Sequence, residues 1–129
     1  MKLEINKEVL FKYDGISTGM YSVYFQNGGL ITAKQKMNSR NWCIFQIRTE
    51  LNENIRLTKK TVLPIIEVNF NKSGSEKHVM NYSFVDFSTG HKKYQGFGYS
   101  PFALNCSFKK EDVTLKDLYK VTGDYFIVK

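Results

Sequence analysis

The side chains able to do chemistry in this 129-residue sequence are few: two histidines, two cysteines and 12 carboxylates. His78 and His91 lie neither in a His-Glu-x-x-His pair nor beside a cysteine pair, so a metal or acid–base site has to be assembled from scattered residues. Glu67, His78, Asp86 and His91 are the set that converges if their segments pair, and they define a small hydrolase or nuclease reading. No Gly-x-Ser-x-Gly elbow, phosphate-binding loop or Gly-x-Gly-x-x-Gly fingerprint occurs. Gly96-Phe97-Gly98 has two of the spaced glycines and reads as a bulge or a close-approach point within a loop. Cys43 as a nucleophile needs a histidine base and an open, electropositive surrounding, yet it shares a face with Phe45 and Ile47. Both cysteines, Cys43 and Cys106, sit far apart inside apolar segments and are expected as buried free thiols, which points to a reducing, cytoplasmic setting. No cofactor or metal is called for, and the balance leans away from catalysis.

A stronger pattern lies in where acids are missing. The chain has 19 Lys and Arg against 12 Asp and Glu, a formal charge of +7. Residues 34–48 carry Lys34, Lys36, Arg40 and Arg48 with no acid, and residues 88–110 carry Lys92, Lys93, Lys109 and Lys110 with none. Removing those eight cations leaves 11 bases against the 12 acids, so the rest of the chain is slightly negative. Such segregation creates a local positive field that attracts phosphate and releases counterions. Aromatics, at 15 %, are threaded through the same windows, and Trp42 is the only tryptophan. Rings in a basic groove stack bases for about 1 to 3 kcal/mol each while cations track the backbone.

The expectation is therefore a non-catalytic protein that binds nucleic acid, single-stranded DNA or RNA, with little sequence preference. Lys34, Lys36, Arg40, Arg48, Lys92 and Lys93 are the phosphate candidates, and Trp42, Tyr94, Phe97 and Tyr99 the stacking candidates. The same residue types suit an acidic protein surface, as in a small inhibitor or accessory factor of a phage or other mobile element, because interface hot spots are also rich in Trp, Tyr and Arg.

The elements that must position these residues are mostly strands. Met20–Gln26, then Asn27-Gly28-Gly29, then an apolar start at Leu30 is a hairpin signal, since Asn-Gly tolerates the positive φ angles of tight turns. Residues 42–49 alternate with Cys43, Phe45, Ile47 and Thr49 on the buried side and Trp42, Ile44, Gln46 and Arg48 on the other. Residues 61–70 alternate too, and Pro64, lacking a donor, marks an edge strand or a strand beginning there. Residues 71–76 are turn chemistry, after which residues 78–87 resume alternation, with Asp86 facing opposite to Val85 and Phe87. A Gly- and aromatic-rich segment, 94–99, precedes a strand over 102–108. One helix is expected near residues 115–122: Thr114 caps it, Asp117 completes a capping box, Leu115, Leu118 and Tyr119 share a face, and Gly123 ends it. Residues 125–128 form a last strand.

At this length one domain, 1–129, is expected. Seven or eight short strands and one late helix read as a small antiparallel twisted sheet or a partly open, OB-like barrel, mainly β with α+β as the neighbouring class. The charged N-terminal stretch does not read as a signal peptide, and no window approaches the roughly 20 apolar residues that span a bilayer, so no membrane partner is expected.

Overall fold

The period-two runs form strands in the computed structural model, which describes residues 1–15, 19–31, 38, 40–73, 82–90 and 101–129. In chain order these are β1 (Lys2–Ile5), β2 (Val9–Phe11), β3 (Met20–Gln26), β4 (Gly29–Ile31), β5 (Trp42–Arg48), β6 (Ile55–Leu57), β7 (Val62–Ser73), β8 (Tyr82–Thr89), β9 (Phe102–Phe108), helix α1 (Leu115–Thr122) and β10 (Phe126–Val128). Eight strands make one antiparallel sheet in the order β10-β1-β7-β8-β9-β5-β3-β4, curled into a half-barrel, while β2 and β6 pair as a separate ribbon. The expected class holds: mainly β, a partly open antiparallel barrel with one short C-terminal helix.

Local chemistry explains the elements. Asn27 and Gly28 both take positive φ, 55° and 84°, and close the β3–β4 hairpin with Gln26 opposite Gly29, as a two-residue turn requires. Thr114 and Asp117 form the reciprocal capping box at the start of α1, and the Gly123 N–H donates to the Tyr119 carbonyl at its end. Pro64 sits where β7 leaves one neighbour for the other: Val62–Pro64 pair with β1, and the β8 ladder begins at Ile65, so the missing donor interrupts neither. A bulge between Ile65 and Glu67 then restores the alternation, with Val68 opposite Phe87 on the core face and Asn69 opposite Asp86 on the outer one.

The inward faces of the curled sheet fill a core closed by α1 and by the β2–β6 ribbon. Phe45 is its hub, with ring centroids 5.5 Å from Phe11, 5.7 Å from Phe102 and 4.9 Å from Phe126. Phe11 comes from the ribbon and Phe126 from β10, so one β5 side chain ties the ribbon to the far terminal strand of the sheet. From α1, Leu118 and Val121 are buried and Tyr119 half-buried, whereas Leu115, expected on the same face, is 46 % exposed because it lies in the first turn, beyond the core.

Two expectations are corrected. The cysteines are not free thiols: Cys43 and Cys106 form a disulfide. They occupy the buried faces of paired strands in direct register, with Cα atoms 4.1 Å apart, close to the spacing of a non-hydrogen-bonded antiparallel pair. Disulfides persist in oxidising surroundings, which removes the thiol argument behind the cytoplasmic expectation. The described residues form ten strands against the seven or eight expected, because β1, β2 and β6 are only three or four residues long, too short for a period-two signal to stand out among charges.

Candidate functional site

The ladder between β5 and β9 brings the two acid-free windows together. Trp42 stands opposite Ser107, so the residues just before β5 and just after β9 share one end of the sheet. The Asn41 side-chain oxygen accepts the Lys109 backbone N–H at 2.8 Å, which fixes that junction. Gln26, only 4 % exposed at the end of β3, clamps it from the other side: its amide donates to the Asn41 carbonyl and the Asn38 side chain, and its oxygen accepts the Asn38 N–H. The Asn38 oxygen in turn accepts the Arg40 N–H at 2.9 Å. These short polar residues before β5 are thus an ordered amide network that holds Arg40 at the sheet's end.

The helix supplies the third wall. The Gly28 N–H at the hairpin tip donates to the Val121 carbonyl at 3.0 Å, docking the β3–β4 turn on the last turn of α1. Arg40, Lys109 and Lys120, with Asn27 and Asn41, then line a half-open concavity of about 420 Å³. Among the described residues no carboxylate lines it and none of its three cations is in an ion pair. Lys110, the other cation after β9, is different: its ammonium bonds Asp117 at 3.1 and 3.2 Å and is spent on the helix cap.

Register gives the outer face of the sheet a shallow trough along β9, whose far part is a second hollow that shares no lining residue with the concavity. Its floor is the row of short β9 side chains Ala103, Asn105 and Ser107, between longer residues on β5 and β8. Register sets the walls: Trp42 and Phe84 both stand opposite Ser107, Ile44 and Asp86 opposite Asn105, Gln46 and Ser88 opposite Ala103. Trp42 and Phe84 are both half-buried and are separated by two strand spacings, roughly 10 Å. The far end, about 370 Å³, is lined by Gln46, Arg48, Asn69, Asp86 and Asn105 among others, and the Asn105 amide donates to Gln46 at 3.2 Å. Arg48 is exposed there, roughly 20 Å along β5 from Trp42. Burial pushes the Asp86 carboxyl above its ordinary value.

Of the sequence candidates, Arg40, Trp42 and Arg48 lie along this concavity and trough. Lys34, Lys36, Lys92, Lys93, Tyr94, Phe97 and Tyr99 lie outside the described residues, as do His78 and His91. Glu67 and Asp86 do share the outer face of neighbouring strands, Glu67 opposite Ser88 and Asn69 opposite Asp86. Among the described residues no group of three or more metal-ligating side chains is gathered. Several rings in the acid-free windows, Phe45, Phe102 and Phe108, are core residues and not surface platforms. Lys109, counted only as part of an acid-free stretch, and Lys120 and Phe84 are not among the sequence candidates. Lys120 reaches the site only through docking of the helix on the hairpin, and Phe84 only through the β8–β9 register.

No protein-family profile matches this sequence, and no similar curated protein or solved structure was found. Among the described residues no helix is long and apolar enough to cross a membrane.

Proposed function

We propose that the protein binds single-stranded nucleic acid without strong sequence preference. The sugar–phosphate backbone enters the concavity of Arg40, Lys109 and Lys120, and bases lie along the β9 trough between Trp42 and Phe84. The carrying observation is that cations from two distant acid-free stretches, joined by one from the helix, line a single hollow with no carboxylate among the described residues. Phosphate is the ligand such a set neutralises best, by releasing the counterions condensed on the strand. The amides of Gln46 and Asn105 and the flanking rings offer bases hydrogen-bonding edges and π-faces, which every base can use. Among the described residues the one carboxylate lining either hollow is Asp86, in the far part of the trough, so backbone contact concentrates at the concavity.

Trp42 is the only tryptophan, so its emission reports this one place. Titration with a single-stranded oligonucleotide quenches it if bases stack there, and Trp42→Ala weakens binding measured by anisotropy of a labelled strand. Unchanged emission at a saturating oligonucleotide concentration rejects the reading. The second reading, an acidic protein surface seated on the same rings and cations, rests on the half-buried Trp42 as an interface anchor. Salt separates the two, because counterion release makes nucleic-acid binding fall steeply as salt rises.

A further inference from the structure

We infer that the protein self-associates through the free edge of β7, adding the β7 of a second copy antiparallel to its own. β7 is the longest strand, 12 residues, and β8 pairs with it from Ile65 to Ser73. On its other side β1 covers only Val62–Pro64, and the Ile65 N–H is taken by the Met1 carbonyl. From Ile66 onward no described strand pairs with that side. The overhang is apolar as well as open: Ile66, Val68 and Phe70 are 66 %, 40 % and 46 % exposed. Folded proteins blunt such edges with very short strands or charges, since an unpaired row of N–H and C=O groups is a template for another strand. The two terminal strands of this sheet, β4 and β10, follow that rule at three residues each. β7 does not.

A second copy fits this edge better than an unrelated extended chain, because the segment is complementary to itself. Directly opposed residues of an antiparallel pair point to the same face, so a two-fold axis perpendicular to the sheet must pair residues of equal parity. With the axis at Asn69, Val68 faces Phe70 of the second copy and Phe70 faces its Val68, two pairs of the aromatic with β-branched kind. Glu67 then opposes Asn71 and Ile66 opposes Lys72, so no like charges meet. The segment 66–73 carries one acid and one base, formally neutral in a chain of +7, so it is where two basic copies repel least. Inside the edge, an apolar hollow of about 170 Å³ lined by Phe70, Val85, Phe87, Val113, Leu115 and Leu118 lies beside the new pairs. The basic concavity is on the far side of β9, and self-association leaves it open.

Sedimentation equilibrium of the full chain, without oligonucleotide, tests this. The expected mass climbs with concentration from 15.0 kDa towards twice that value. Val68→Lys and Phe70→Lys, at exposed positions, each weaken self-association by more than about ten-fold, by setting a lysine opposite an apolar residue and two like charges diagonally across the axis, while far-UV circular dichroism stays that of the parent. In Asn69→Cys the two added thiols oppose one another at about 4.5 to 5.5 Å between Cα atoms, within disulfide reach, and mild oxidation gives a covalent dimer on a non-reducing gel. A monomer at every concentration overturns the inference, whether or not it captures some extended peptide. So does a dimer that tolerates both lysines or fails to cross-link through position 69.

Discussion

Neutralising the cations of the concavity one at a time, by Arg40→Gln, Lys109→Gln and Lys120→Gln, separates phosphate binding from other kinds of contact. Each cation that neutralises a phosphate on a single strand contributes about −0.7 to the slope of log affinity against log salt. Three cations line the hollow, and among the described residues none is engaged by an acid. The expected slope from this hollow is therefore about −2, an affinity loss of roughly 18-fold between 50 and 200 mM salt. Each substitution flattens it by about 0.7, so the loss across the same range falls to roughly 7-fold. Lys2→Gln, on β1 and four strands from β5 in the sheet, leaves the slope unchanged. The assay is fluorescence anisotropy of a labelled oligonucleotide across a salt series, with the emission of Trp42 recorded in parallel. The Arg40 backbone bond to Asn38 and the Lys109 backbone bond to Asn41 survive the changes, so the amide network holding the site remains. If all three variants keep the parental slope, the hollow does not hold phosphate and the reasoning fails.

Other consequences concern what holds this arrangement together. The Cys43–Cys106 bond closes a separation of 63 residues, and replacing both by Ala is expected to lower stability by about 4 kcal/mol on chain-entropy grounds, read from guanidinium unfolding midpoints. Equal midpoints reject that role. Gly123 has φ 63°, ψ −137°, and a methyl there runs into the Gly28 carbonyl, so Gly123→Ala destabilises by more than about 2 kcal/mol and loosens the hairpin from the helix. An unchanged thermal midpoint contradicts this. The Thr114 backbone N–H, then Lys110, hold the Asp117 carboxyl below its ordinary value against the opposing effect of burial. Because the folded form binds its proton at lower pH than the unfolded one, Asp117 stabilises at neutral pH and loses that contribution as pH falls below about 4. Asp117→Asn should be less stable than the parent at pH 7, with the gap closing in acid; a gap independent of pH refutes the sign.

What the sequence revealed follows the length and regularity of each signal. β3 with its Asn-Gly turn, the alternation of β5, β9 over Phe102–Phe108 and α1 with its Thr114–Asp117 box are all local, and local chemistry decided them. β1, β2 and β6 owe their existence to partners distant in the chain: Leu3 pairs with both Leu63 and Val128, and Val9 with Leu57. The disulfide is of the same kind. Both cysteines were recognised as buried, but only the β5–β9 register makes them neighbours. At the site, Arg40 and Trp42 were legible from the acid-free run before β5. Lys120 was not, because a helical lysine acquires meaning here only when Gly28 meets Val121.

The eight-stranded sheet never joins its own ends. Between β10 and the β3–β4 pair the gap is spanned by side chains and by α1, with Phe25 packed on Tyr125 and Phe126 and the Tyr119 hydroxyl accepting the Val128 N–H. A closed barrel opens only by tearing a hydrogen-bonded seam along its whole length. Here the gap is spanned by an eight-residue helix, a much smaller cooperative unit. Amides near that seam are expected to exchange with solvent through partial opening, and those of β5 and β9, joined by the Cys43–Cys106 bond, only through global unfolding, which native-state hydrogen exchange measures. Since Lys120 rides on the helix, a form with the helix lifted would keep only part of the concavity. Any ligand held there favours the shut form by mass action, so occupancy at the rim is coupled to breathing of the whole shell.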